Sequence, residues 1–191
     1  MRTPIFALLS LLSGPSLAQT PPGFTPEVAA HLDVIYGSKA VSPPGIELAK
    51  SDVQKQPTIG TSDTVLNGTY LFVMIDLDVP ASFTNPSAGP RRTNLHAMIT
   101  GFQSDGTKTD GGVNVLSSSA TGPVRYLGPA PPAETPPHPH RYVQLLFPTP
   151  ESGFSVSQAD VGQSLGFDIH AFIKKKNLDA PVRANYFNVT G

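Results

Sequence analysis

Side chains that can hold or move a proton recur in the middle of this chain. Asp76 and Asp78 stand two apart in Asp76-Leu77-Asp78-Val79-Pro80, His96 follows in Leu95-His96, and His138, His140 and Tyr142 form a third group. If the strand preceding the aspartates runs on through both, their side chains share one face, about 7 Å apart at Cα. Two carboxylates on one side of an apolar strand are costly unless cations or donors meet them. Otherwise they belong to a solvated turn at the strand end. His96 and His140 are the natural partners, since each can donate to a carboxylate or, when protonated, to an anion. A lone histidine on an apolar strand is also often just a satisfied core residue. Tyr142, two residues after His140, faces the same side in a strand and supplies a hydroxyl. Arg141 then points the other way, which suits a structural ion pair or hydrogen bonds to loop carbonyls.

Between these groups runs Gly128-Pro129-Ala130-Pro131-Pro132. The backbone amides of Gly128 and Ala130 can approach an anion there, with the prolines freezing the loop. The same prolines also describe a rigid polyproline surface loop, and both readings can hold together. His138 and His140 make a His-x-His pair, but without a third ligand or a cysteine no metal is expected, and no cofactor. The H-E-x-x-H, G-x-S-x-G, Walker and dinucleotide patterns are absent. Ser82 lies near the aspartates, but no third group orients it with His96 as a nucleophile.

The elements that must position these residues read as β. Tyr70 to Ile75 is a continuous apolar run of strand length, and Tyr142 to Phe147 reads likewise. Leu32 to Tyr36 and Leu95 to Thr100 are shorter strand candidates. Twenty-one prolines and seventeen glycines are spread along the chain rather than gathered in one tail, which suits many turns more than disorder. One helix is expected, capped by Asp168, with Ile169, Phe172 and Ile173 on one face and Lys174, Lys175 and Lys176 in the last turn, where cations complement the dipole. Residues 61–67, 103–121 and 129–139 read as connecting loops. The fold class expected is mainly β, two packed antiparallel sheets with one or two short C-terminal helices.

The N-terminus reads as a secretory signal peptide over residues 1–18: Arg2, an apolar run from Ile5 to Leu12, and a small-residue cleavage site ending at Ala18. It is too short and interrupted to span a membrane. One domain, residues 19–191, remains. Arg2 is the one charged residue removed, so 12 basic residues face 14 acidic ones. Such a near-neutral chain has no electrostatic footprint for nucleic acid or an anionic membrane, and no stable membrane anchor is expected. The absence of cysteine rules out disulfides and thiolate chemistry. Asn67-Gly68-Thr69 and Asn188-Val189-Thr190 are glycosylation sequons, expected at the surface of a secreted protein.

The aspartate run, the histidine ahead of a strand, the Gly-x-x-Pro-Pro loop and His140-Arg141-Tyr142 together resemble the signature of the phosphatidylethanolamine-binding protein family. Leu32 to Tyr36, Pro57-Thr58-Ile59 and Phe167 to Tyr186 are similar to further family segments in family order. The resemblance implies one small anion pocket whose ligand-binding residues are Asp76, Asp78, His96, Gly128, Ala130, His140 and Tyr142. The chain departs from the family pattern at Leu77, Val79 and Asn94, and carries two extra residues between Pro132 and His140, so the pocket should be wider or more polar than the family norm. Three functions stay open. The first is a secreted protein binding a phosphate- or carboxylate-bearing small molecule. The second is an accessory or catalytic protein in fungal secondary-metabolite biosynthesis, working beside cyclases on maleic-anhydride-type polyketide units. The third is a protease inhibitor or signalling regulator.

Overall fold

The computed structural model describes residues 18–191, so the expected leader lies, apart from Ala18, outside the described residues. Ten strands follow in chain order: β1 (Asp33–Tyr36), β2 (Lys39–Ala40), β3 (Ile46–Glu47), β4 (Thr58–Thr61), β5 (Thr69–Val79), β6 (Arg92–Lys108), β7 (Asn114–Ser117), β8 (Pro123–Val124), β9 (Pro139–Thr149) and β10 (Arg183–Thr190). The helices α1 (Gln158–Val161) and α2 (Ile169–Lys176) lie between β9 and β10.

The strands run in the order β2-β1-β4-β7-β6-β5-β9-β10-β3, with β8 also paired to β6. The long β6 joins the two halves: its first part pairs with β5, its last part with β7. Just before the handover, where the β5 pairing shifts register, Gly101 takes φ +76°, a conformation glycine adopts without steric cost, and the chain turns from one sheet into the other. The two expected sheets are therefore one curled sheet, and at its edge β3 pairs with β10 in parallel rather than antiparallel.

β5 explains why its sequence is continuously apolar. Phe72 and Met74 enter a core between the sheet halves with Val34, Ile59, Leu116 and Phe187. Leu71, Val73 and Ile75 enter a second core, capped by Val161, Phe167, Ile169 and Phe172 of the helical region. A strand buried on both faces needs apolar residues at every position. β9 behaves the same way, with Tyr142 and Leu146 on the first core and Val143, Leu145 and Phe147 on the second.

α2 follows its sequence signals. The Asp168 carboxylate accepts from the His170 and Ala171 amides, and Asn177 closes the helix at φ 49°. The lysine triplet is not merely solvated, because Lys175 donates to the Ala159 and Asp160 carbonyls and Lys176 pairs with the Asp160 carboxylate, joining α2 to α1. The expected loop at 103–121 is corrected: it contains the end of β6 and all of β7. The arm Gln103–Lys108 is largely exposed, so the pairing is made by backbone hydrogen bonds and leaves no apolar periodicity to read.

The two sequons differ in their surroundings. Asn67 is exposed in the turn before β5. Asn188 is half-buried within β10, its Nδ2 donating to the Gly45 carbonyl at 3.0 Å and its Oδ1 buried. The nitrogen that would carry a glycan is thus committed to a backbone hydrogen bond. When the chain is expressed through a eukaryotic secretory pathway, Asn67→Gln should remove a glycan-sized mass increment and Asn188→Gln should leave the intact mass unchanged apart from the substitution itself.

Candidate functional site

The ends of β5, β6 and β9 lie side by side, and their register builds the site. Asp76 pairs with Asn94 on β6 and with Tyr142 on β9. On β6 the register passes from Met74↔Ala97 to Ile75↔Leu95, so His96 is the extra residue of a bulge. A bulge of this kind re-aims a side chain at the end of a sheet. It puts His96 beside Tyr142, ring centroids 5.1 Å apart and nearly perpendicular. A cavity of about 220 Å³ opens here, walled by Asp76, His96, His140 and Tyr142 and covered by Gly128 and Ala130. Six of the seven expected ligand-binding residues therefore line it. Asn94 and Phe83 line it too, and sequence reasoning did not place them among the binding residues.

Asp78 is the one that does not line the cavity. β5 carries its own irregularity between Asp76 and Val79, so the two aspartates do not present to one space. Both Asp78 oxygens are taken by Arg141, through its backbone amide, Nε and Nη2 at 2.8 to 2.9 Å. Burial acts to raise the Asp78 pKa, but these bonds outweigh it and hold the carboxyl below its usual range. Arg141 thus makes the structural ion pair that its position on β9 suggested.

His140 is fully engaged. It is 1 % exposed; its Nδ1 lies 2.8 Å from Asp76 Oδ2 and its Nε2 3.2 Å from Glu134 Oε1. Glu134, buried and missed from the sequence, takes Arg91 through both oxygens at 2.7 Å, and Arg91 Nη1 also donates to the Asp78 carbonyl. Burial opposes protonation of His140, yet Asp76 and then Glu134 reverse that effect and raise its pKa. The Arg91 hydrogen bonds hold Glu134 down, to about 2. Glu134 lies within the stretch that carries two extra residues, which was the one available signal.

His96 is in the opposite state. Its Nδ1 donates to the Leu127 carbonyl at 2.9 Å, which leaves Nε2 with a lone pair and no partner among the described residues. Burial lowers its pKa, more than the Leu127 carbonyl and Asp76 restore, so the ring is neutral near pH 7. Burial, and then the Asp76 carboxylate, push the Tyr142 hydroxyl far up, so it stays a neutral donor. The covering loop is tied down by Gln54, whose Nε2 donates to the Pro129 carbonyl. A Cβ at Gly128 would come within 2.9 Å of the Gln54 Cα, which explains glycine there. The amides of Gly128 and Ala130 have no acceptor among the described residues, so the cavity sets donors beside the free His96 nitrogen and the Asp76 carboxylate.

The architecture is a curled β sandwich with two histidines and an aspartate gathered at one edge under a Gly-Pro loop. The chain belongs to the phosphatidylethanolamine-binding protein family, whose model matches residues 23–187. It is 29 % identical over 189 residues, 89 % of each chain, to phomoidride biosynthesis cluster protein N of Talaromyces stipitatus. It is 31 % identical to protein FLOWERING LOCUS T of Arabidopsis thaliana, across 82 % of this chain and 78 % of that one. Among solved structures, carboxypeptidase Y inhibitor in complex with its cognate proteinase shares the fold at TM-score 0.61 and 21 % identity, covering 85 % of this chain and 84 % of that one. Phosphatidylethanolamine-binding protein from Plasmodium vivax does so at TM-score 0.56 and 19 % identity, covering 83 % of each.

The protonation states give stability a testable pH dependence. His140, with its folded pKa raised, contributes stability that is fully present below about pH 6.5 and is lost as pH rises through the raised value. Glu134 and Asp78, with depressed values, contribute above about pH 4 and lose that contribution as pH falls. His96, with its value lowered chiefly by burial, costs stability below about pH 6.5, and because His140 adds to that lowering the cost eases when His140 is replaced. His140→Gln should therefore destabilise by about 3 kcal/mol at pH 6, the scale of a broken buried pair, and by clearly less at pH 9. Urea unfolding at the two pH values checks this.

Proposed function

We propose that this protein binds a small phosphate- or carboxylate-bearing anion in the Asp76/His96/Tyr142 cavity and serves secondary-metabolite biosynthesis, accepting a carboxylate or anhydride unit that partner cyclases couple. The observation that carries the reading is His96: a neutral imidazole with its Nε2 unpartnered, in a cavity that also offers the Tyr142 hydroxyl and two loop amides. The relative encoded with a phomoidride biosynthesis cluster, alike over 89 % of both chains, supports the pathway assignment. Phe83 and Leu127, 64 % and 56 % exposed at the cavity mouth, support a ligand with an apolar part outside the cavity. The expected leader makes the secretory pathway the compartment of this reading.

Mechanistically, an anion entering the cavity receives hydrogen bonds from Tyr142 and the Gly128 and Ala130 amides, and its charge draws a proton onto His96 Nε2. The Leu127 carbonyl keeps the His96 ring oriented, while Asp76 and His140 act on its charge. The same lone pair can take a proton from a ligand carbon or hydroxyl when coupling is the task.

Two measurements test this. Isothermal titration with phosphate and with maleate, in buffers of different ionisation enthalpy, should show uptake of a proton on binding at pH 7.5, and affinity should fall by up to about tenfold per pH unit above that. His96→Gln should remove the proton uptake. Product formation by the partner cyclases, with and without this protein, tests the pathway; if His96 is a base, His96→Gln should lower the rate by about 10² at saturating substrate, whereas a carrier role is restored by saturation. An unchanged yield on omitting the protein would remove the biosynthetic part and leave anion binding.

A further inference from the structure

His140 holds an arrangement that nothing at the ligand face requires. Its two ring nitrogens each meet a carboxylate, Asp76 at 2.8 Å and Glu134 at 3.2 Å. A neutral imidazole has one N–H and one lone pair, so two carboxylate acceptors are satisfied together only by the imidazolium. Glu134 is itself bound at both oxygens by Arg91, which reaches on to the Asp78 carbonyl. Arg91 ends the exposed segment 81–90 that carries Phe83, and Glu134 belongs to the proline loop that covers the cavity, so this pair fastens one wall of the site to the other.

We propose that Glu134 and Arg91 are positioning residues of the anion cavity: together they hold His140 as a cation against Asp76 through pH 8, leaving His96 as the histidine that takes up a proton with the ligand. The proposal rests on the anion-binding reading above and adds the division of labour between the two histidines. The groups facing His140 are Asp76 and Asp78 from β5, His96 from β6, Tyr142 from β9, and Glu134 and His138 from the loop before β9. Of these, Asp76 and Glu134 touch its ring nitrogens. The remaining carboxylate, on Asp78, is committed to Arg141. Removing the Glu134 charge therefore removes one of the two carboxylates that hold the imidazolium, and the Arg141 pair does not replace it.

In the unsubstituted protein, nitrogen chemical shifts of the His140 ring at pH 8 should be those of imidazolium, while His96 shows a neutral ring protonated at Nδ1. A neutral His140 at pH 8 overturns the proposal whatever the variants do. In Glu134→Gln, the His140 proton affinity should fall roughly tenfold or more. Its phosphate affinity should then drop, between pH 5.5 and pH 8, by up to about tenfold more than the unsubstituted protein's, because His140 now titrates in that window beside the anion. Glu134→Asp, which keeps the charge, should restore the parent pH profile. A Glu134→Gln protein of lower melting temperature whose binding profile runs parallel to the parent's would assign Glu134 a purely structural role and overturn the proposal. Absence of phosphate binding in the unsubstituted protein would instead sink the anion reading, and the imidazolium shift would still decide the state of His140. If Glu134→Gln does not fold, Arg91→Gln gives the same comparison: the unclamped Glu134 should hold His140 less firmly and bend the profile the same way, and a parallel profile again overturns it.

Discussion

Charge buried at the edge of an apolar sandwich is the constraint around which this site is organised. Asp76, Asp78, Glu134 and His140 are all less than a tenth exposed, and each carries or accepts charge. Ionised groups taken out of water are tolerated only when each meets a partner in good geometry. Here the partners are arranged as two sets. Arg141 closes on Asp78, and Arg91, Glu134, His140 and Asp76 form a chain of alternating sign. Such pairs contribute little net stability over apolar packing of the same shape, so their presence is better explained by what they position than by what they stabilise.

What they position is a small space with an unusual inventory. Because His140 is consumed by its carboxylates, it can shape the field in the cavity but has no ring nitrogen left for a ligand. His96 has the reverse arrangement, since a backbone carbonyl takes its Nδ1 and leaves Nε2 available. Two histidines of similar intrinsic basicity thus end with pKa values displaced in opposite directions, one by burial and one by paired carboxylates. Separation of this sort is how neighbouring titratable groups acquire distinct roles. The bulge at His96 is the backbone device behind it, because regular pairing would place that residue directly across from Ile75.

Much of this was legible in the chain and some was not, for reasons that differ by residue. The runs around Phe72 and Val143 declare strands because they are buried on both faces, and α2 declares itself through Asp168 and its lysines. β7 and the outer arm of β6 carry the sequence character of a loop, since exposed strands held by backbone bonds leave no apolar pattern. Gly128, Ala130, His96, His140 and Tyr142 were found from the family resemblance, and the structure gathers them with Asp76. Asp78 fell outside because the irregularity in β5 cannot be read from a two-residue spacing. Glu134 and Arg91 are far apart in sequence, 43 positions, and neither lies in a motif, so only the folded arrangement shows them joined.

The same inventory bears on how a fold shared with an Arabidopsis flowering protein and a proteinase inhibitor can serve different ends. The sandwich, its two cores and the β5–β9 ladder answer to packing alone and set no ligand. Ligand choice lies in the parts that packing leaves unconstrained: the bulge, the covering loop, and the segment between Val79 and Arg92 that bears Phe83. In this chain those parts carry Asn94 on the cavity wall, an aromatic ring at its mouth and an added acid beneath His140. An anion bound here meets neutral donors and one basic nitrogen, with the surrounding charges already paired. It is therefore favoured when a proton accompanies it onto His96, which makes proton content, more than charge, the property by which this cavity would discriminate among ligands.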